Sequence, residues 1–233
     1  ERDQKGKIVR DNSGKILKVP GKLKNVKAVG WYIDEYKQAQ VSINLTNYKI
    51  TPLYKVFEEV RKQANKRGLR VTGSEIVGLI PKNALLEVGN FYLKKQKSSL
   101  GIPEKDIIAI AVQSLGLTDI SHFDSNKSVI EYALSSDNFL INKNLKSFMD
   151  ELSRNSATPG GGSVSALAGS LSASLISMVI NLSSDKKLDK YAVQSQNLKE
   201  DLLLLIEDDA KAFDVVMKAF RMPKKTKQDK EFR

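Results

Sequence analysis

Two features of this chain have residue types and spacing suited to chemistry: Asp209, and the run Ser156-Ala157-Thr158-Pro159-Gly160-Gly161-Gly162-Ser163. Leu198, Leu202, Leu205, Asp209, Ala212, Val216 and Ala219 follow one another at alternating steps of four and three. That is the spacing of a helix packed along one continuous seam. Asp209 is its one polar member, while Glu207 and Asp208 fall off the seam and are expected to be solvated. A carboxylate on an apolar stripe is costly unless paired or neutral, and such groups often serve in proton transfer. The alternative is an aspartate bonded to the N-terminus of a neighbouring helix.

Three glycines at a helix start leave backbone N–H groups unhindered, next to the positive end of the helix dipole. That suits a phosphate, a carboxylate or a polar ring edge. The spacing is neither a Walker loop nor a dinucleotide-binding turn, and a plain flexible loop is the competing reading. From Ser163 to Leu182 no residue is charged. Twenty such residues are long enough for a bilayer, but six are serine, Gly169 interrupts them, and no aromatic belt flanks them. Ala166, Ser170 and Ser174 recur every four residues as a narrow small-residue face. The expectation is the buried central helix of a soluble bundle, with no membrane partner.

The elements that must position these residues fall into two parts. Residues 1–24 read as a Gly/Lys-rich loop. Val29, Trp31 and Ile33 alternate on an extended segment from Asn25 to Tyr36. After a turn at Lys37-Gln38, a second strand puts Val41, Ile43 and Leu45 on one face and Gln40, Ser42 and Asn44 on the other. The expected hairpin has an apolar side and an amide/hydroxyl side. Thr51-Pro52 reads as N-cap plus first helical residue. Leu53, Val56, Phe57, Val60 and Ala64 then form a stripe, Glu58 pairs with Lys62, and Gly68 is the stop. A strand region over Leu69–Ile80 and helices opening at Pro81 and Pro103 complete the first part. It reads as α+β, a mostly antiparallel sheet with helices on one face. Ser135 to Lys143 is a polar linker. Beyond it the period is helical only, beginning with Leu145, Phe148, Met149 and Leu152, so an all-α bundle follows. The expected boundary separates residues 1–140 from 141–233.

Composition narrows the partners. The chain has 233 residues and no cysteine, which rules out disulfide and thiol chemistry and fits a cytoplasmic setting. Its net charge is +11, with 24 basic against 15 acidic residues in 1–143 and 14 against 12 in 144–233. The lysines are scattered and not aligned with aromatics, so nucleic acid is not expected; a polyanionic small molecule remains open. Glu1 is not methionine and residues 221–233 are highly charged, which reads as a piece cut from a longer chain.

Several runs resemble a bifunctional folate enzyme family, glutamate formimidoyltransferase joined to formimidoyltetrahydrofolate cyclodeaminase. Lys18-Val19-Pro20-Gly21-Lys22-Leu23, Gly30-Trp31-Tyr32-Ile33-Asp34-Glu35, Ala39-Gln40-Val41-Ser42 and Gly73-Ser74-Glu75-Ile76-Val77-Gly78 are similar to the transferase's C-terminal subdomain. Ser147-Phe148, Glu151-Leu152, Thr158-Pro159-Gly160-Gly161-Gly162-Ser163, Asp209-Ala210, Ala212-Phe213 and Pro223-Lys224 are similar to the start of the cyclodeaminase and its cyclohydrolase relatives. The resemblance implies transfer of a formimino group from N-formimidoyl-L-glutamate to tetrahydrofolate, then ring closure to 5,10-methenyltetrahydrofolate with ammonia release. It implies tetrahydrofolate as co-substrate, no metal, and a homo-oligomer. Asp209 becomes the expected proton shuttle. Pro159, Gly160, Gly161, Gly162, Ser163, Lys187, Arg221 and Lys224 become expected folate contacts, the folate possibly polyglutamylated, and Gln40, Ser42 and Asn44 the lining of the transferase site. The transferase's general-base histidine belongs to a subdomain outside this chain, and the single histidine, His122, matches no catalytic position. The alternatives are a methenyltetrahydrofolate cyclohydrolase activity and a non-catalytic polyanion-binding or dimerisation module.

Overall fold

A computed structural model describes residues 7–17, 21–35, 37–134, 140–183 and 185–223. The chain divides into two compact units, residues 1–72 and 73–233. The first is α+β and the second helical.

In the first unit, β1 (Val26–Ile33) and β2 (Gln38–Leu45) form an antiparallel hairpin in which Gly30 faces Val41, Trp31 faces Gln40, Val29 faces Ser42 and Lys27 faces Asn44. Residues directly opposite share a face of the sheet. Val29, Trp31 and Ile33 therefore lie with Gln40, Ser42 and Asn44, and not with Val41, Ile43 and Leu45. The expected separation into an apolar and a polar side does not hold. Val29, Trp31, Tyr32 and Val41 are all exposed.

Helix α1 (Leu53–Asn65) buries Val56 and half-buries Leu53, Phe57, Val60 and Ala64, as its stripe predicts. Two local expectations fail. Pro52 occupies the N-cap without a side-chain bond, because the Thr51 hydroxyl donates instead to the Lys24 carbonyl at 2.6 Å. Glu58 pairs with Arg61 at 2.9 Å, the i+3 neighbour, not with Lys62.

The strand region expected over Leu69–Ile80 reduces to one parallel bridge between Ile80 and Val129, in the second unit. Helices α2 (Lys82–Lys95) and α3 (Glu104–Leu115) pack on each other, burying Leu85, Val88, Leu93, Ile108, Ala111 and Leu115. Gly116 closes α3 at φ +62, a left-handed cap that glycine adopts without strain. Short helices α4 (Ser125–Ser128) and α5 (Ile130–Ala133) follow, then a single 3-10 turn at Leu140–Asn142 and α6 (Leu145–Leu152). Of the stripe expected in α6 only Phe148 is buried; Leu145 and Met149 are exposed.

Helices α7 (Gly161–Ser183) and α8 (Asp189–Arg221) form a long antiparallel hairpin. The buried face of α7 is Ser163, Ala166, Ser170, Ala173, Ser177 and Ile180. Small side chains recur at steps of three and four, which lets α8 come close. Leu171, Leu175, Ile176, Met178, Val179 and Leu182 are exposed. The helix is thus covered on one face only, whereas burial all round was expected. By length and composition alone it could cross a membrane. On α8 the buried residues are Ala192, Ser195, Ile206, Glu207 and Ala210, while Leu198, Leu205 and Val216 are exposed. The expected seam is displaced by one residue around its middle. Phe148, Ala166 and Ile206, with Leu140, Leu167 and Leu203 against them, make the core at the open end of the hairpin.

Gly101, between α2 and α3, meets this hairpin backbone to backbone. Its carbonyl accepts from Ser177 Oγ at 2.9 Å and Asn181 Nδ2 at 2.7 Å. A Cβ at residue 101 would stand 2.3 Å from the Ala192 Cβ.

Candidate functional site

The N-terminus of α7 and the third quarter of α8 bring Gly162, Ser163 and Asp209 together. Asp209 Oδ2 accepts from the Ser163 backbone N–H at 2.8 Å and lies 3.0 Å from Ser163 Oγ. The aspartate is half-buried, and among the described residues nothing donates to its Oδ1. The anion at this helix N-terminus is thus the protein's own carboxylate, where the helix dipole stabilises it. Of the two readings open for Asp209, attachment to a neighbouring helix start is observed. It leaves one carboxylate oxygen uncommitted.

The three glycines differ. A Cβ at Gly161 would meet nothing within 4 Å, and one at Gly160 only the Ala157 carbonyl oxygen at 3.5 Å. At Gly162 it would stand 2.1 Å from Asp209 Oδ1 and 2.4 Å from Cγ. Only Gly162 is sterically required, and the carboxylate is the reason.

The N–H groups also differ. Ser163 serves Asp209 and Val164 bonds the Gly160 carbonyl at 3.1 Å. The N–H groups of Gly161 and Gly162 have no partner among the described residues, so two donors of the first turn remain open. Ser163 is fully buried, and its hydroxyl also lies 3.0 Å from the Ile206 carbonyl. The preceding loop is tied to α8 by Thr158 Oγ1 donating to Asp214 Oδ1 at 3.0 Å, and Thr158-Pro159 is cis.

The other expected site residues scatter. Lys187 lies in the turn between α7 and α8, at the far end of a 23-residue helix. At 1.5 Å per residue that is about 34 Å from the glycine loop. Arg221 ends α8 and is exposed, about 18 Å along the axis from Asp209 by the same rise. Lys224 lies outside the described residues, as do Lys18, Val19 and Pro20 of the quoted runs. Gln40, Ser42 and Asn44 share a strand face in the other unit. His122 is exposed.

The residue that sequence reasoning misread is Glu207. It is buried, and its Oε1 accepts from the backbone N–H groups of Leu140 and Ile141. That contact closes the chain entering α6 onto α8. The one available signal was its position one step from Ile206.

Family comparisons divide the chain in the same order as the sequence runs. Residues 3–135 match the formiminotransferase domain and residues 144–233 match formiminotransferase-cyclodeaminase. The chain belongs to the family of the formiminotransferase domain. It is 37% identical over 225 residues to formimidoyltransferase-cyclodeaminase of Gallus gallus, covering 92% of this chain and 41% of that protein. It is 35% identical over 245 residues to that of Sus scrofa, covering 100% and 45%. Part of it is 38% identical over 100 residues to methenyltetrahydrofolate cyclohydrolase of Methylorubrum extorquens, covering 40% of this chain and 48% of that protein. The chain spans less than half the length of the bifunctional relatives.

Proposed function

We propose that this chain serves a folate-dependent one-carbon enzyme of histidine degradation. Residues 1–140 belong to its glutamate formimidoyltransferase and residues 141–233 to its cyclodeaminase. The reading is supported by two family matches in one order along one chain, and by relatives named for both activities. The observation that carries the site is the Asp209 carboxylate, fixed through Oδ2 and open at Oδ1 beside two bare N–H groups.

In the cyclodeaminase step the carbon of a protonated formimino group on N5 is attacked by N10. The N10–C bond forms, and the former amidinium nitrogen becomes an amine. Asp209 Oδ1 takes the proton from N10 and delivers it to that amine. The C–N bond then breaks, ammonia leaves, and the positive charge stays on the methenyl bridge. One carboxylate suffices for both transfers. The N–H groups of Gly161 and Gly162, with Gly160 beside them, face the folate; Pro159 is buried and shapes the loop from beneath, and Ser163 acts from behind through Asp209. Arg221 extends the site toward the folate carboxylates, and Lys224 is carried as a second such contact by the family resemblance alone. Lys187 reaches folate only through a long polyglutamate tail or from a second copy. Gln40, Ser42 and Asn44 line the transferase site, where N-formimidoyl-L-glutamate donates to tetrahydrofolate.

The apolar surface left open along α7 and α8 supports a homo-oligomer; a cytoplasmic setting and the lack of a membrane, nucleic-acid or metal partner belong to the same proposal and rest on the sequence alone. The complete enzyme, given N-formimidoyl-L-glutamate and tetrahydrofolate, is expected to release ammonia in step with the methenyl chromophore. Consumption of added 5,10-methenyltetrahydrofolate with no ammonia from the formimino substrate would favour the cyclohydrolase reading, which the Methylorubrum similarity supports.

A further inference from the structure

The Ser163 side chain is fully buried and has one proton for two acceptors. Its Oγ lies 3.0 Å from Asp209 Oδ2 and 3.0 Å from the Ile206 carbonyl oxygen. A hydroxyl donates one hydrogen bond at a time, so rotation about a single bond decides which of the two acceptors it serves. The backbone N–H of the same residue holds Oδ2 in either case. A charged carboxylate is the stronger acceptor, and a neutral acid is not.

We propose that Ser163 is the positioning residue of Asp209. Its hydroxyl donates to Oδ2 while the aspartate is charged and turns to the Ile206 carbonyl once Oδ1 has taken the proton. This rests on the reading of Asp209 as the cyclodeaminase proton carrier. The turn lets the site follow each proton transfer without moving a helix. It also fixes which oxygen receives the proton, because Oδ2 is always engaged and Oδ1 is not. The glycine at position 162 leaves the volume that Oδ1 occupies.

Few other charges bear on the pair. The first turn of α7, Gly161 to Ser165, has none. On α8 the helical neighbours of Asp209 at three and four residues are Leu205, Ile206, Ala212 and Phe213, all uncharged. The remaining titratable groups of α8 nearby are Glu207, bound to Leu140 and Ile141, Asp208, Lys211, and Asp214, bound to Thr158. In the segment before the loop, Arg154 pairs with Glu151, which Lys143 also holds.

The test is ammonia release by the complete enzyme, read separately as kcat and KM. Ser163→Ala removes the hydroxyl and keeps the N–H bond. With one of its two donors gone the carboxylate is held less firmly, so kcat falls about ten-fold, the worth of one hydrogen bond to a charged group. KM for the formimino substrate changes less than about two-fold, because Ser163 is covered. Ser163→Thr keeps a hydroxyl and restores kcat. A folded Ser163→Ala enzyme with wild-type kcat overturns the proposal, as does a Ser163→Thr enzyme that loses as much. Asp209→Asn run alongside separates the two ideas. If it abolishes ammonia release while Ser163→Ala moves nothing, the positioning role alone is wrong. If it retains full ammonia release, the reading of Asp209 falls first.

Discussion

The carboxylate of Asp209 occupies the space in which a side chain at Gly162 would begin, with Oδ1 2.1 Å from the position of a Cβ there. Glycine at 162 and aspartate at 209 are one feature, formed by residues 47 positions apart in the chain.

From this follows an unequal glycine series. Gly162→Ala forces the carboxylate out of register. The expected effect is a loss of about 1–3 kcal/mol, typical of overpacking, with ammonia release falling in parallel. Gly161→Ala meets open space and should leave stability within about 1 kcal/mol, since alanine is the better helix former. Thermal melts and ammonia assays on both variants test this. Equal effects would separate the glycine from the aspartate.

Asp209→Asn is nearly isosteric and retains an oxygen for the Ser163 N–H. The fold should therefore persist with little change in Tm. Ammonia release should fall by about 10²-fold or more, the usual share of general acid–base catalysis. Formimino transfer to tetrahydrofolate should survive, since Gln40, Ser42 and Asn44 lie in the other unit. Ammonia release at near wild-type rate would leave Asp209 a helix cap and nothing more.

Glu207 and Asp208 are adjacent and should respond oppositely. Glu207→Ala strips two backbone donors at Leu140 and Ile141 of their buried acceptor, at about 1–3 kcal/mol. For a chain of this size that lowers Tm by roughly 2–4 °C for each kcal/mol. Asp208 is exposed, and Asp208→Ala should be within about 0.5 kcal/mol of neutral. Calorimetry on both variants decides it.

Acid sensitivity has a local source near the same end of the hairpin. Lys143 Nζ donates to Glu151 at 3.0 Å and, with Arg154, holds its carboxyl below the ordinary value of 4.5. A lowered folded-state value stabilises the protein above the ordinary value, and the contribution disappears as pH falls through the lowered one. Lys143→Met should therefore shrink the difference in Tm between pH 6 and pH 3. An unchanged difference would assign the acid response elsewhere.

The helices were legible because their apolar periods are strong. Val56 with its stripe, Ile107-Ile108-Ala111-Leu115, and Gly116 at the end of α3 all stand where the pattern puts them. The hairpin itself was legible, but not its faces. Those depend on register, and the pairing of Trp31 with Gln40 follows from turn geometry that strand composition does not contain. The seam of α8 was misplaced because a strict four-three ladder drifts around a helix of 3.6 residues per turn. The small face of α7 then selects Ile206 and Ala210 in place of Leu205. The burial of Glu207 was signalled only by its place next to Ile206, because its partners are backbone N–H groups 66 and 67 residues away. The Asp209 site was half legible: the residue stood out, while its bond to Ser163 needed the fold.

Gly101 joins two stretches that family matching separates. It lies within residues 3–135, yet its carbonyl carries the Ser177 and Asn181 side chains of residues 144–233, and its bare Cα rests on Ala192. The two stretches on either side of a boundary at residue 140 therefore meet at Gly101. Residues 144–233 produced alone would present a socket without its plug, with the Ser177 hydroxyl and the Asn181 amide deprived of their common acceptor. Such a piece should be less soluble and more readily proteolysed than residues 73–233 produced together.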